Sequence, residues 1–189
     1  MPIKTMTTTN NYYSNEDLRN TLRLLWIEKF IWTRFYLVSR FAGLDDIVIL
    51  SNRIYESAIS IANLFNLYYG SSAKQQIENF LRQDISYNLS YIDSLLTKET
   101  ELSKDIIDKW KLNAMELANY LSTINKEYNK DDLYQIFSNL IDLNIHEANK
   151  RLDKDYVTDI GQFDLIAYLS NSLSDYLWSG IINTFYRNK

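Results

Sequence analysis

A single histidine, His146, and no cysteine leave this chain few ways to hold a transition metal or to build a nucleophile. Thiolate nucleophiles, cysteine zinc sites, iron–sulfur clusters and disulfides all need sulfur at the reacting position, so each is excluded. The residue three before the histidine is Leu143, so the Glu-x-x-His element of carboxylate-bridged metal bundles is missing around it. The ligand set that remains for a metal site is Asp84, Asp142, His146, Glu147 and Asp175. His146 shares a helical line with Asn139, Asp142, Lys150 and Asp153, the pattern of a solvated face. Asp142 and His146, four apart, make a local helix contact as readily as a weak metal site. There is no glycine-rich phosphate loop, no serine nucleophile elbow and no paired-histidine zinc motif. No two acids are placed by spacing as an acid and base pair, so the expectation is a protein that is not an enzyme and needs no cofactor.

Two charges stand where the helical period calls for core. Lys29 lies between Leu25 and Trp32 on the stripe that runs from Leu18 to Tyr36, and Asp84 lies seven residues after Ile77 and seven before Tyr91. An isolated buried charge costs several kcal/mol, roughly, so each needs a partner or a route to solvent. The expectation is that Lys29 and Asp84 meet in or beside the core. The alternative is that Lys29 snorkels, with its stem buried and its ammonium wet. Arg34, Arg40 and Arg53 are candidate anion binders, yet Glu28, Asp45, Asp46 and Glu56 are near enough in sequence to pair with them. Tyr68, Tyr69, Trp26, Trp32 and Trp110 could line a pocket for an apolar ligand, although a helix-bundle core accounts for them without one.

These residues are carried by long helices. The 189 residues hold one proline, at position 2, and four glycines, so almost nothing interrupts a helix. Ser14 with Asp17 forms a capping box for a helix from about Asn15 to Ala42, and Gly43 suits its left-handed end. Asp45 and Asp46 open a second helix that Gly70 ends, and Ser72 with Gln75 restarts a third to about Leu96. Ser103 caps a fourth, Asn129 and Asp132 start a fifth that ends near the KRLDKD cluster, and a last helix runs from about Thr158 to Tyr186 with Gly161 inside it. No segment alternates with the period of a strand. The fold expected is all-α: one up-and-down antiparallel bundle of five to six helices over residues 14–189, with residues 1–13 as a mobile lead. The first helix, apolar on more than one face, is expected at its centre.

The run Leu25, Trp26, then Trp32, Thr33, Arg34, followed by Tyr69, Gly70, Trp110 with Asn113, Ala114 and the stretch LANYLSTIN, and finally Arg151, Asp175, Gly180 and Ile181, resembles an uncharacterised family of small bacterial helical-bundle proteins. The match spans roughly Leu22 to Phe185. In that family, histidines stand where this chain has Lys29, Asp84 and Leu140, and aspartates where it has Ser60 and Met115. Such a set implies a metal site of the ferritin-like type. This chain departs at each of those positions and keeps only Asp175 of the inward acids, which implies a member that has lost the site. Two of the missing histidines would face each other where Lys29 and Asp84 stand. Asp175 therefore joins Lys29 and Asp84 as a candidate for the polar core.

A net charge of −4, with basic residues scattered among acids, argues against nucleic acid. No window of eighteen or more apolar residues occurs, and even the apolar stretch from Ile27 to Ala42 contains Glu28, Lys29, Arg34 and Arg40, which argues against a membrane span. The polar N-terminus MPIKTMTTTNNYYSN lacks the apolar segment of a secretory signal, so a cytoplasmic location is expected. The favoured function is association with a protein partner or with itself, the excess of Tyr and Trp suiting an interface. A metal-binding or redox bundle and a carrier of a small apolar ligand are the alternatives.

Overall fold

Serine, aspartate and asparagine side chains start three of the five helices in the way their chemistry dictates. The computed structural model describes residues 13–186; the lead expected over residues 1–13 lies outside them except for Tyr13. Ser14 caps α1 (Asn15–Ala42) by accepting from the Asp17 amide, and the Ser14 hydroxyl donates back to the Asp17 carboxylate. α2 follows (Ile47–Thr97), then α3 (Thr100–Ile124), α4 (Lys130–Leu152) and α5 (Tyr156–Phe185). Asn129 caps α4 by accepting from the amides of Asp131 and Asp132, and Asp155 caps α5 by accepting from that of Thr158. α3 begins earlier than its Ser103 suggests, with Glu99 at the cap position and no side-chain cap bond.

α2 is two arms joined by one residue. Gly70 has φ 81° and ψ 178°, a conformation open to glycine and strained for any side chain. The guanidinium carbon of Arg82 lies 5.8 Å from the centre of the Tyr55 ring, although a straight helix would hold those residues about 40 Å apart. Gly70 therefore folds the chain back on itself, and the arms 47–69 and 71–97 run antiparallel. With the arms taken separately the molecule is the expected up-and-down bundle. α1 lies antiparallel to α5, with Arg19 at Asp175 and Arg34 at Asp159. The second arm of α2 lies antiparallel to α3, with Asp84 at Trp110 and Ser94 at Ser103, and parallel to α4, with Asn88 at Asn144.

The core is one cluster of aliphatic and aromatic side chains from all five helices, among them Leu22, Trp26, Ile61, Phe65, Leu81, Trp110, Leu133, Ile166 and Leu177. α1 is not central, contrary to its apolar character. It packs its inner face on α2 and α5 and touches α4, while the opposite face stays open to solvent, with Leu24 and Phe35 more than half exposed. No helix of the described residues is long and apolar enough to cross a membrane.

Candidate functional site

The helical period that placed Lys29 and Asp84 toward the core also brings them together. Lys29 Nζ is 2.6 Å from Asp84 Oδ2, and their side chains are 5% and 19% exposed, so the ammonium does not snorkel and the pair is nearly dry. Trp110, on α3, donates its indole N–H to Asp84 Oδ1 at 2.6 Å. The ammonium also lies 4.4 Å from the centre of the Phe30 ring, where the negative ring face favours a cation. One carboxylate thus receives a charge from α1 and a hydrogen bond from α3, and α2 carries it between them.

Beside this pair is a cavity of about 20 Å³, lined by Trp26 and Lys29 of α1, Asp84 of α2, Trp110 and Asn113 of α3, and Leu140 and Asn144 of α4. The volume suits a water molecule and falls far short of the cavity of roughly 150 Å³ that admits a small aromatic. Three of its lining residues, Lys29, Asp84 and Leu140, are the positions that the resemblance assigns to histidines. Ser60 and Met115 are elsewhere, Met115 on the surface of α3. The aromatic residues expected to share a pocket divide. Trp26 and Trp110 reach the cavity, Trp32 sits under Arg53 beside Phe35, and Tyr68 and Tyr69 pack on Phe185 at the other end of the bundle.

Asp175 does not belong to the polar core. Its side chain is at the surface, gripped by the guanidinium groups of both Arg19 and Arg23. The hydrogen bond from Arg19, with that from Arg23 and the charge of both guanidinium groups, holds its carboxyl down at about 2 against the desolvation of partial burial. The expectation that it lies inward fails because residue 175 falls on the flank of α5 that meets α1, where two arginines can reach it. The remaining members of the possible ligand set are also dispersed. Asp142 is exposed and pairs with Lys111, and His146 is exposed, on the solvated line expected for it. Among the described residues no three His, Cys, Asp or Glu side chains stand together in a way that would hold a metal ion.

A second buried ionic centre escaped the sequence reading. Arg34 of α1 donates to both carboxylate oxygens of Asp159 on α5, at 2.9 and 3.3 Å, and its NH1 also contacts Glu147 of α4. Arg151 adds a third hydrogen bond to Asp159 at 3.0 Å. Asp159 is fully buried and Glu147 nearly so. Arg34 therefore pairs with acids more than 110 positions away, not with the sequence neighbours expected, and Arg40 likewise pairs with Asp93. Arg53 does pair with Glu28 and Glu56. The one signal that could have found Asp159 is its place on the apolar stripe of α5, seven residues before Ile166.

Burial pushes the Glu147 carboxyl up to about 7, against the attraction of Arg34, which favours the charged form. The folded state thus binds a proton that the unfolded chain releases near 4.5. The stability this contributes is complete below that value and is lost as the pH rises to about 7, a fall of roughly 3 kcal/mol. Asp175 acts in the opposite sense at lower pH, below its usual 3.8, and as a partly exposed pair screened by solvent contributes about 1 kcal/mol. Glu147→Gln, which mimics the protonated acid, is expected to match the parent within about 1 kcal/mol near pH 4.5, to flatten the decline above it, and so to be the more stable protein at pH 7 by roughly 2–3 kcal/mol. Urea unfolding across that range measures both quantities, and an unchanged slope in the variant would remove Glu147 as its source.

Comparison of the chain with family models, with curated proteins and with solved structures found no match in any of the three.

Proposed function

We propose that this protein acts without catalysis, by association of helix faces, and that its partner is a second copy of the same chain. The observation that carries this reading is the outer face of α1. Leu24, Ile27, Ile31, Phe35, Val38 and Ala42 follow one another in steps of three and four, opposite the inward Leu22, Trp26, Lys29 and Thr33. They form an apolar stripe about 27 Å long in which Leu24 and Phe35 are 56% and 51% exposed. Charged and polar residues normally occupy that side of a surface helix. At the same level of the bundle, Ile160 and Val157 flank the Asp159 that Arg34 reaches, and Ile49 lies one turn from the Arg53 that covers Trp32; all three are exposed. Ile27, Ile31 and Val38 on the same stripe are partly exposed, and apolar side chains gathered at the surface of one helix face suit an interaction surface.

The stripe is complementary to itself. An antiparallel copy centred on Ile31 sets Ile31 against Ile31, Ile27 against Phe35 and Leu24 against Val38, the twofold contact of an isologous dimer. The absence of cysteine makes the test clean, because Ile31→Cys places the only thiol of the chain on the proposed axis. A short bifunctional thiol reagent is expected to join two Ile31→Cys chains and to leave monomeric a control, Leu112→Cys, at an exposed site on α3. Equal yields at the two positions, or no dimer from either, would contradict the reading.

A further inference from the structure

Six polar side chains line the small cavity beside Lys29, and three of them have an atom with no hydrogen-bond partner in the protein: Trp26 Nε1, Asp84 Oδ2 and Asn113 Oδ1. Trp110 donates to Asp84, and Asn144 is bonded at both ends, to Asn88 and to the Leu140 carbonyl. Trp26 and Asn113 are 3% exposed, so solvent outside the bundle does not satisfy them. The Asn113 amide is oriented by its other end, where Nδ2 donates to the Phe80 carbonyl at 3.1 Å, which leaves Oδ1 as the acceptor. Asp84 Oδ2 has the Lys29 ammonium close by but not aligned as a hydrogen bond, and so keeps accepting capacity. A buried polar group without a partner costs about 1–3 kcal/mol, and two at one cavity, Trp26 Nε1 and Asn113 Oδ1, make an unpaired arrangement expensive.

We infer that this cavity is a binding site for one water molecule, held between α1, α2 and α3. The donor and acceptor balance selects the ligand class. Trp26 Nε1 and the Lys29 ammonium only donate, and the carboxylate and amide oxygens of Asp84 and Asn113 only accept. A bound group must therefore accept from the first two and donate to the others. Water does both, and the volume of about 20 Å³ exceeds the roughly 10–15 Å³ that one water requires. A metal cation would meet the ammonium and the indole N–H, and an anion would meet Asp84, so neither matches the lining. The water would bridge Trp26, Asp84 and Asn113 and complete the hydration that the Lys29–Asp84 pair lost on burial. The partial exposure of the Asp84 side chain gives it a route of exchange with bulk solvent.

The test is heteronuclear NMR of the full chain with water itself as the probe. The Trp26 indole N–H resonance is identified as the one absent from Trp26→Phe. In the wild type it is expected to show a cross peak at the water frequency with opposite signs in the laboratory and rotating frames, the mark of dipolar contact with a long-lived water. Asn113→Leu, which removes one of the oxygens that receive the water's protons, is expected to weaken that peak at least threefold. A peak of exchange sign only, or no peak from a sharp Trp26 resonance, would overturn the inference. Should Asn113→Leu fail to fold, the wild-type spectrum alone decides.

Discussion

Lys29→Met is expected to destabilise the protein by about 3 kcal/mol or more, because it keeps the volume of the side chain and removes only the partner of a nearly buried carboxylate. Asp84 would then retain one hydrogen bond, from Trp110, and no opposing charge within reach on that side. The cost comes from the orphaned ion, not from the lost attraction, and a second substitution separates the two. Adding Asp84→Asn to Lys29→Met removes the charge and keeps an oxygen for the Trp110 indole, so it is expected to recover at least half of the loss. Denaturant unfolding with unchanged dependence on denaturant concentration would measure both steps. A neutral Lys29→Met would show that the ammonium contributes nothing to holding Asp84.

Gly180→Ala is expected to destabilise by about 2–3 kcal/mol, although glycine to alanine inside a helix ordinarily stabilises by up to about 1 kcal/mol. A Cβ at this position would fall 2.0 Å from Tyr128 Cε1, inside the ring's contact radius. Tyr128 cannot swing aside cheaply. Its ring is buried and its hydroxyl donates to the Leu177 carbonyl, one turn earlier on α5. Tyr128→Phe, which gives up that hydrogen bond while keeping the ring, is expected to cost only about 1 kcal/mol. A lower melting temperature for Gly180→Ala than for Tyr128→Phe bears out the close approach, whereas an Ala variant more stable than the parent would refute it.

How far the sequence could be read depended on whether a signal was local. Helix starts at Ser14 and Asn129 and the breaks at Gly43 and Gly70 are local chemistry, and each lies where the residues place it. Lys29 and Asp84 were legible as a pair because each interrupts an apolar stripe, and two interruptions need each other. Asp159 and Glu147 were not, because their arginine lies on a helix more than 110 residues away and nearer acids offered cheaper explanations. Asp175 shows the converse error: a resemblance suggested an inward acid, and the position on the flank of α5 turned it to two surface arginines. The same limit applies to Gly180, whose need for a missing Cβ is set by a tyrosine in the α3–α4 turn. The apolar character of α1 was visible from the start, but periodicity cannot tell a helix surrounded by its own bundle from one whose second apolar face is turned outward. Only the packing of α2 and α5 on one side of α1 distinguishes them.

That outward face is the centre of the functional account, and sedimentation velocity across micromolar concentrations tests it most directly. The wild type is expected to approach twice the 22.4 kDa of one chain as concentration rises. Phe35→Glu, which places a charge on the exposed stripe, is expected to remain a single chain at every concentration, with the unfolding midpoint that the wild type shows when diluted to a single chain. A wild type that sediments as one chain throughout, indistinguishable from Phe35→Glu, would contradict the account.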